Sequence, residues 1–146
     1  MIPFVNQKTA CGCGIACAAM VAECSFDHVQ EVALAGLPRY AKLRDGLYTN
    51  EMVWLLSRLG VKAALQRYPD FNRLVPHLVT APSLNGQGLL HNIVITYVDG
   101  QFTVYDPQWK RRGKLYYARD KKDTNGVQLK AWSEVFRIVS NSKRVF

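Results

Sequence analysis

The feature that most constrains the fold is an uninterrupted apolar run from Ile15 to Ala22, built mainly from small residues. A helix that is apolar on every side has to be buried on every side. The sequence therefore predicts a central helix from Gly14 to about Cys24, with the rest of the chain packed around it. The run is far shorter than the ~20 residues that span a bilayer, so we expect no transmembrane segment. The residues before it do not resemble a secretory signal.

The remaining chain divides into a helical half and a strand half. Further helices are predicted after Ser25 or Asp27, from an N-cap at Thr49 to a stop at Gly60, and from Asp70 to Leu78. Strands are predicted at 61–66, 80–84, 92–98, 101–105, 114–118 and 127–129, with a short helix at 131–136 before a terminal strand. Helices followed by antiparallel strands indicate an α+β fold. At 146 residues, we expect one domain over 1–146.

The charge balance favours acidic partners. Nineteen Lys and Arg against eleven Asp and Glu give a net charge of +8. No zinc-finger spacing, aromatic RNA-binding pattern or helix-turn-helix accompanies this charge, so we expect no nucleic-acid partner. The positive charge is densest in two places, a four-residue basic patch and a pair of lysines. We expect the basic patch to begin near the functional cleft. The patch is Lys110, Arg111, Arg112 and Lys114, and the pair is Lys121 and Lys122.

The cysteines are confined to one short stretch, at positions 11, 13, 17 and 24. Disulfides between such close positions would close only trivial loops, so we expect reduced thiols. A single Cys-x-Cys-x3-Cys cluster lacks the second pair that structural zinc sites use, and we expect no metal or cofactor. Cys17 and Cys24 share one helical stripe with Met20, which is typical of core thiols.

Cys13 stands where the central helix begins. A thiol at a helix N-terminus lies at the positive end of the helix dipole, which lowers its pKa and favours the nucleophilic thiolate. The neighbouring Gly12 and Gly14 permit a tight backbone entry into the helix. The alternative interpretation is a buried, unreactive thiol.

A thiolate nucleophile needs a histidine as proton shuttle and a group that orients that histidine. Asp99-Gly100 predicts a two-residue type I′ hairpin loop, so paired residue numbers should sum to 199. Ile93 then lies opposite Asp106, and His91 shares the face of Ile93 because the strand period is two. His91 and Asp106 become diagonal neighbours, roughly 7–8 Å apart at the backbone. Gln108, directly opposite His91, is a rival orienting residue.

The other two histidines carry weaker signals. His28 falls at a predicted helix start, and His77 follows Pro76 in a predicted short helix. We expect both to be ordinary surface or packing residues.

Together these motifs resemble the C39-type papain-like cysteine peptidases. Gln7, five residues and then Cys13-Gly14-Ile15-Ala16 resemble the family's Gln and Cys-Gly-x-Ala block. His91 to Ile95, the turn at Asp99-Gly100 and the closing Val104 to Pro107 resemble its histidine strand, hairpin and Asp-Pro. The resemblance covers roughly residues 2–136. It implies a papain-like fold with N-terminal helices packed on a C-terminal antiparallel sheet.

The resemblance also implies roles. Cys13 is expected to be the nucleophile, His91 the general base and acid, and Asp106 the residue that orients His91. Gln7 is expected to supply the oxyanion-hole side chain, together with the Cys13 backbone N–H. Cys11 departs from the family pattern. It is also followed by glycine, but Gly14 rather than Ala stands three residues on, so we prefer Cys13 and leave the role of Cys11 open.

Three functions are compatible with these residues. The first is a bacterial cysteine peptidase acting through a thioester on a peptide or protein substrate, acidic if the charge recruits it. The family's familiar task, removal of double-glycine leader peptides, adds a transporter or an immunity protein in trans as a partner. The second is a glutamine deamidase or transglutaminase-type effector or toxin using the same triad. The third is a non-catalytic basic binding module. We expect a cytoplasmic protein, or an effector exported by a signal-independent route.

Overall fold

The computed structural model describes residues 2–108, 113–117 and 126–143. Its helices precede its strands along the chain, as expected for an α+β fold. The helices are α1 (Cys13–Ala22), α2 (Phe26–Gly36), α3 (Pro38–Leu43) and α4 (Thr49–Arg58). The strands are β1 (Val61–Leu65), β2 (His77–Pro82), β3 (Leu90–Val98), β4 (Gln101–Tyr105), β5 (Leu115–Tyr117), β6 (Gly126–Gln128) and β7 (Glu134–Asn141). Within the described residues, no helix combines the length and apolar character that crossing a membrane requires.

The apolar run forms the central helix, as predicted. Every residue of α1 is buried, and the helix packs against α2, α4, β3 and β7. Because α1 has small side chains on all sides, its neighbours can approach closely. The position of its first residue, Cys13, is therefore fixed by packing along the whole helix.

The flanking helices begin and end through local signals. The Ser25 hydroxyl accepts a hydrogen bond from the His28 backbone N–H at 3.1 Å, which makes Ser25 the N-cap of α2. Helix α4 begins one residue earlier than predicted, since Tyr48 rather than Thr49 is its N-cap. The Glu51 carboxylate accepts the Tyr48 backbone N–H at 2.8 Å, a capping-box contact. Helix α3 was not predicted, and Pro38 opens it with a backbone angle already suited to a helix.

The main sheet has five strands in the order β1-β7-β2-β3-β4, all antiparallel. The β3–β4 hairpin has the predicted register, with Val94 opposite Tyr105 and Val98 opposite Gln101. Its turn residues Asp99 and Gly100 have φ angles of 53° and 76°, as a type I′ turn requires. One face of the sheet packs on α1, and the other covers a second core cluster.

Two predicted helices are wrong. Residues 71–75 form turns and bends, and the segment from His77 is a central strand, β2, rather than the end of a helix. The predicted helix at 131–136 is replaced by β7, which starts at Glu134. In both segments the buried residues pair with strands that are distant in sequence, and β7 has β1 on one side and β2 on the other. Tertiary pairing outweighs the local pattern here.

The sequence also predicts a second hairpin, in which strands 114–118 and 127–129 flank a turn at 123–126, and this prediction is wrong. Strands β5 and β6 pair in parallel, with Leu115 opposite Gly126. Parallel neighbours need a longer crossover than a tight turn provides. The turn predicted at 123–126 lies, apart from Gly126, outside the described residues.

Candidate active site

The fold buries all four candidate residues. One of them lies at the start of a helix, and two lie at the open end of the β3–β4 hairpin. Cys13 is the first residue of α1, His91 is the second of β3, and Asp106 directly follows β4. Gln7 lies in the segment before α1, and its backbone N–H donates to the Pro107 carbonyl at 2.9 Å. All four side chains are buried.

His91 and Asp106 are directly hydrogen-bonded. His91 Nε2 lies 2.7 Å from Asp106 Oδ1, as the hairpin register predicts. The carboxylate is held from two further sides, because the Gln108 backbone N–H donates to Oδ1 at 3.0 Å and the Tyr116 backbone N–H donates to Oδ2 at 2.9 Å. Gln108, the rival orienting residue, therefore helps to fix Asp106. Since Nε2 is engaged, Nδ1 is the ring nitrogen left for Cys13.

The thiol of Cys13 is arranged to ionise. Burial raises its pKa, but the hydrogen bond and the positive charge of His91 lower it, and contacts with Asn92 lower it further. The net result is a pKa below the ordinary thiol value. The N-cap residue Gly12 offers no side-chain cap to the first turn of α1, so backbone N–H groups there remain available beside the sulfur.

The histidine is shifted in the complementary direction. Burial lowers the pKa of His91, but the hydrogen bond with Asp106, the contact with Cys13 and both negative charges raise it to about 9. A lowered thiol pKa beside a raised imidazole pKa favours a thiolate–imidazolium ion pair. Such a pair supplies a nucleophile and a proton donor in one place.

Gln7 lies beside the loop that leads into α1. Its Nε2 donates to the carbonyls of Thr9 at 3.0 Å and Ala10 at 3.2 Å. Both side-chain protons are thus directed at the loop, and Oε1 has no hydrogen-bond partner among the described residues. In this arrangement Gln7 fastens the loop before Cys13 to the segment after Asp106.

The other cysteines differ in their surroundings, and all four are free thiols. Cys17 is fully buried, and burial raises its pKa well above the ordinary value, as do the charges of Cys13 and Asp106. Cys24 is half-buried rather than a full core residue, and its sulfur lies 3.2 Å from Lys143 Nζ. Cys11 is exposed in the turn before α1.

The remaining histidines are surface and packing residues, as expected. His28 is exposed. His77 is buried and packs edge-to-face on Phe71, with ring centroids 5.3 Å apart.

One contact at the site was not predicted. Asn92 Nδ2 lies 3.6 Å from Cys13 Sγ, and Asn92 Oδ1 accepts a hydrogen bond from the Thr80 hydroxyl at 2.9 Å. A polar side chain in an apolar strand, directly after the candidate histidine, was the signal in the sequence that could have identified it.

Most of the basic patch that we expect to begin near the cleft lies outside the described residues. Lys110, Arg111 and Arg112 lie outside the described residues, as do Lys121 and Lys122. Lys114 is exposed, and its backbone N–H donates to Asn85 Oδ1 at 2.6 Å. In the described part of the chain, no group of three or more His, Cys, Asp or Glu side chains is arranged to hold a metal ion.

Comparison with known proteins gives a family and a solved relative. The model of the peptidase C39 family matches residues 1–137. A double-glycine motif protease from an AMS/PCAT transporter, solved in complex with the leader peptide, is similar in structure with a TM-score of 0.54 at 18% identity. The match covers 95% of this chain and 93% of that one. No curated protein matches the sequence significantly. The helices and antiparallel sheet described above are thus those of a C39 protease domain, and the chain belongs to the peptidase C39 family.

Proposed function

We propose that this protein is a cysteine peptidase in which Cys13 is the nucleophile, His91 the general base and acid, and Asp106 the orienting carboxylate. One observation carries the proposal: His91 is hydrogen-bonded to Asp106 at 2.7 Å, and the pKa values of His91 and Cys13 are shifted in opposite directions. The pKa of His91 is raised to about 9, and the pKa of Cys13 is lowered. A non-catalytic binding module would not need a buried thiol held in its nucleophilic form.

The reaction proceeds in two stages. The Cys13 thiolate attacks the peptide carbonyl carbon, and His91 donates its proton to the leaving amine as the C–N bond breaks. A thioester on Cys13 remains. Neutral His91 then takes a proton from water while the hydroxide adds to the thioester carbonyl carbon. The C–S bond breaks, the carboxylic acid product leaves, and the Cys13 thiolate and the His91 imidazolium are restored. Asp106 keeps the imidazole in one orientation through both stages.

The oxyanion needs donors beside Cys13. We assign the first to the Cys13 backbone N–H, which is in the first turn of α1 and has no acceptor within the helix. We assign the second to Gln7. Its Nε2 protons are directed at the Thr9 and Ala10 carbonyls, so a substrate oxyanion must compete with these acceptors for one proton.

The proposed substrate is a peptide with a double-glycine cleavage site. This follows from family membership together with the solved relative, which is a double-glycine motif protease bound to a leader peptide. Because the chemistry requires Cys13 to remain a free thiol, a reducing compartment such as the cytoplasm suits the reaction. A peptide transporter is the partner that would receive the trimmed peptide.

The test is cleavage of a panel of leader-type peptides, followed by mass spectrometry. We expect cleavage after Gly-Gly, loss of cleavage when the glycines are replaced, and no turnover by Cys13→Ala. Cys11→Ser is the matched control, and it should retain activity because the thiol of Cys11 is exposed rather than buried beside His91. Retained turnover in Cys13→Ala would contradict the assignment of the nucleophile.

The same assay separates the peptidase from the glutamine-directed alternative. Attack on a glutamine side-chain amide would leave the peptide backbone intact. Deamidation would add about 1 Da to the substrate, and transfer to an amine would add the mass of that amine less ammonia. An intact backbone with such a mass change in every active peptide would replace the peptidase proposal with a deamidase or transglutaminase.

A further inference from the structure

The sulfur of Cys13 meets β3 at a place where the sheet is open on one side. The β3–β4 ladder ends at the pair Val94–Tyr105, while β2 still pairs with β3 as far as Leu90. Beyond Tyr105, no β4 residue pairs with Asn92 or His91. The first turn of α1 lies against this part of β3, since both Cys13 and Gly14 approach Asn92.

Adjacent residues of a strand point to opposite faces, so His91 and Asn92 approach the sulfur from different sides. Asn92 Nδ2 lies 3.6 Å from Cys13 Sγ. With β4 no longer paired to this part of the strand, the Asn92 backbone N–H also faces the sulfur, and both groups lower the pKa of Cys13. Two donors from Asn92 therefore join His91 around one sulfur atom.

The Asn92 amide is held in a single orientation. Thr80 lies on β2 and pairs with Asn92 of β3. Its hydroxyl donates a hydrogen bond to Asn92 Oδ1 at 2.9 Å. This hydrogen bond occupies the oxygen end of the amide, so the NH2 end is directed at Cys13. The reverse orientation would place an amide oxygen against a thiolate, which is repulsive.

The backbone around the nucleophile leaves room for this amide. A Cβ at position 14 would lie 3.2 Å from Asn92 Nδ2, within a close contact that also involves Leu47 and Met52. Gly14 therefore lets the amide approach the first turn of α1. On the same face of β3, the next residue along, Val94, is fully buried in the core. A polar residue at position 92 is favourable only because both ends of its amide are hydrogen-bonded.

We propose that Asn92 is a further catalytic residue, whose side-chain amide donates to the Cys13 thiolate and holds the sulfur in place, and that Thr80 is its positioning residue. The proposal rests on the proposed function only in taking Cys13 as the nucleophile. Removal of the amide should raise the pH at which Cys13 ionises by about one unit, since a hydrogen bond to a charged group has that order of strength.

The experiment measures the rate at which iodoacetamide alkylates Cys13 as a function of pH, with the modified cysteine identified by fragment ions in mass spectrometry. Asn92→Leu removes the amide at similar volume, and its midpoint should rise by about one pH unit. Thr80→Val removes the orienting hydroxyl and should give a smaller rise. Thr80→Ser restores the hydroxyl and should return the wild-type midpoint. Thr96→Val, a buried threonine of β3 away from the amide, is the matched control and should not change it.

Circular dichroism and urea unfolding establish that each variant is folded. If Asn92→Leu does not fold, the comparison of Thr80→Val with Thr80→Ser decides the question. An unchanged midpoint in Asn92→Leu, or in Thr80→Val when the leucine variant does not fold, would reduce Asn92 to a packing residue. Alkylation requires no peptide substrate, so failure of leader cleavage would overturn the proposed function and leave this inference standing.

Discussion

Replacing Asp106 with asparagine should discharge His91 and, through it, return Cys13 to an ordinary thiol. Burial lowers the pKa of His91, while the hydrogen bond with Asp106, the contact with Cys13 and their charges raise it from 6.5 to about 9. This difference corresponds to about 3 kcal/mol in favour of the imidazolium, at about 1.4 kcal/mol per pH unit. The His91 side chain is only 11% exposed, so solvent screens little of this energy.

The substitution should also change the pKa of the Cys13 thiol, because the ion pair with His91 is lost. Without the carboxylate, its hydrogen bond and its charge no longer raise the pKa of His91 while burial still lowers it, so that pKa should fall and less of His91 should be charged at pH 7. Burial still raises the pKa of Cys13, and a neutral imidazole opposes this less, so the pKa of Cys13 should rise towards its ordinary value of 9.0. A thiol with that pKa is about 1% ionised at pH 7, so alkylation at neutral pH should slow by up to about 100-fold.

The assay is the pH dependence of Cys13 alkylation by iodoacetamide in Asp106→Asn and the wild type. Asp27→Asn is the matched control, because Asp27 is exposed and its carboxylate pairs with Lys8 rather than with a histidine. The asparagine cannot accept from both the Gln108 and Tyr116 N–H groups while facing His91, so folding should also lose about 1–3 kcal/mol. Urea unfolding checks that the variant is folded. Superimposed pH profiles would refute the claim that Asp106 keeps His91 charged.

Three further predictions concern the same residues and one buried histidine. Gln7→Ala should lower kcat by about 10²–10³-fold and leave Cys13 alkylation nearly unchanged, because the Gln7 amide donates to the Thr9 and Ala10 carbonyls and the pKa of Cys13 is lowered by His91 and Asn92; a matching loss of alkylation would contradict this. Peptide cleavage should decline as pH rises through about 9, since His91 then lacks the proton for the leaving amine; kcat/KM against pH measures this, and a constant rate to pH 10 would contradict it. Burial lowers the pKa of His77, so below about pH 6.5 the unfolded chain binds a proton that the folded chain does not. His77→Phe should therefore lose less unfolding free energy between pH 7 and pH 5 than the wild type, and equal losses would contradict a neutral buried His77.

The contact between His91 and Asp106 could be predicted because it depends on local geometry. A two-residue turn at Asp99-Gly100 fixes the register of the hairpin, and the observed pairs follow that register to the end of β4. Asp106 is only seven positions after Asp99 in the chain, so little else can alter their relative positions. Cys13 could be located for a similar reason, since the start of an all-apolar helix is visible in the sequence.

The strands in the middle of the sheet could not be predicted in the same way. Strand β2 lies between β3 and β7, and β7 lies between β1 and β2. Their buried residues, such as Leu78 and Phe136, face one core across a large separation in sequence. A short apolar segment has no local signal that distinguishes such a strand from a buried helix. Strands β5 and β6 pair in parallel, and the register of a parallel pair is not set by a tight turn.

Asn92 shows why the candidate histidine could be predicted from the sequence and the residue next to it could not. His91 has a local partner, whereas Asn92 depends on three elements that meet only in the folded chain. Helix α1 supplies the sulfur, β2 supplies the Thr80 hydroxyl, and β4 ends early enough for α1 to reach β3. Because a strand alternates its side chains, one helix end can be contacted by consecutive residues only where the neighbouring strand has stopped. The end of β4 at Tyr105 therefore has two effects on the site: it places Asp106 against His91, and it opens the side of β3 where Cys13 meets Asn92.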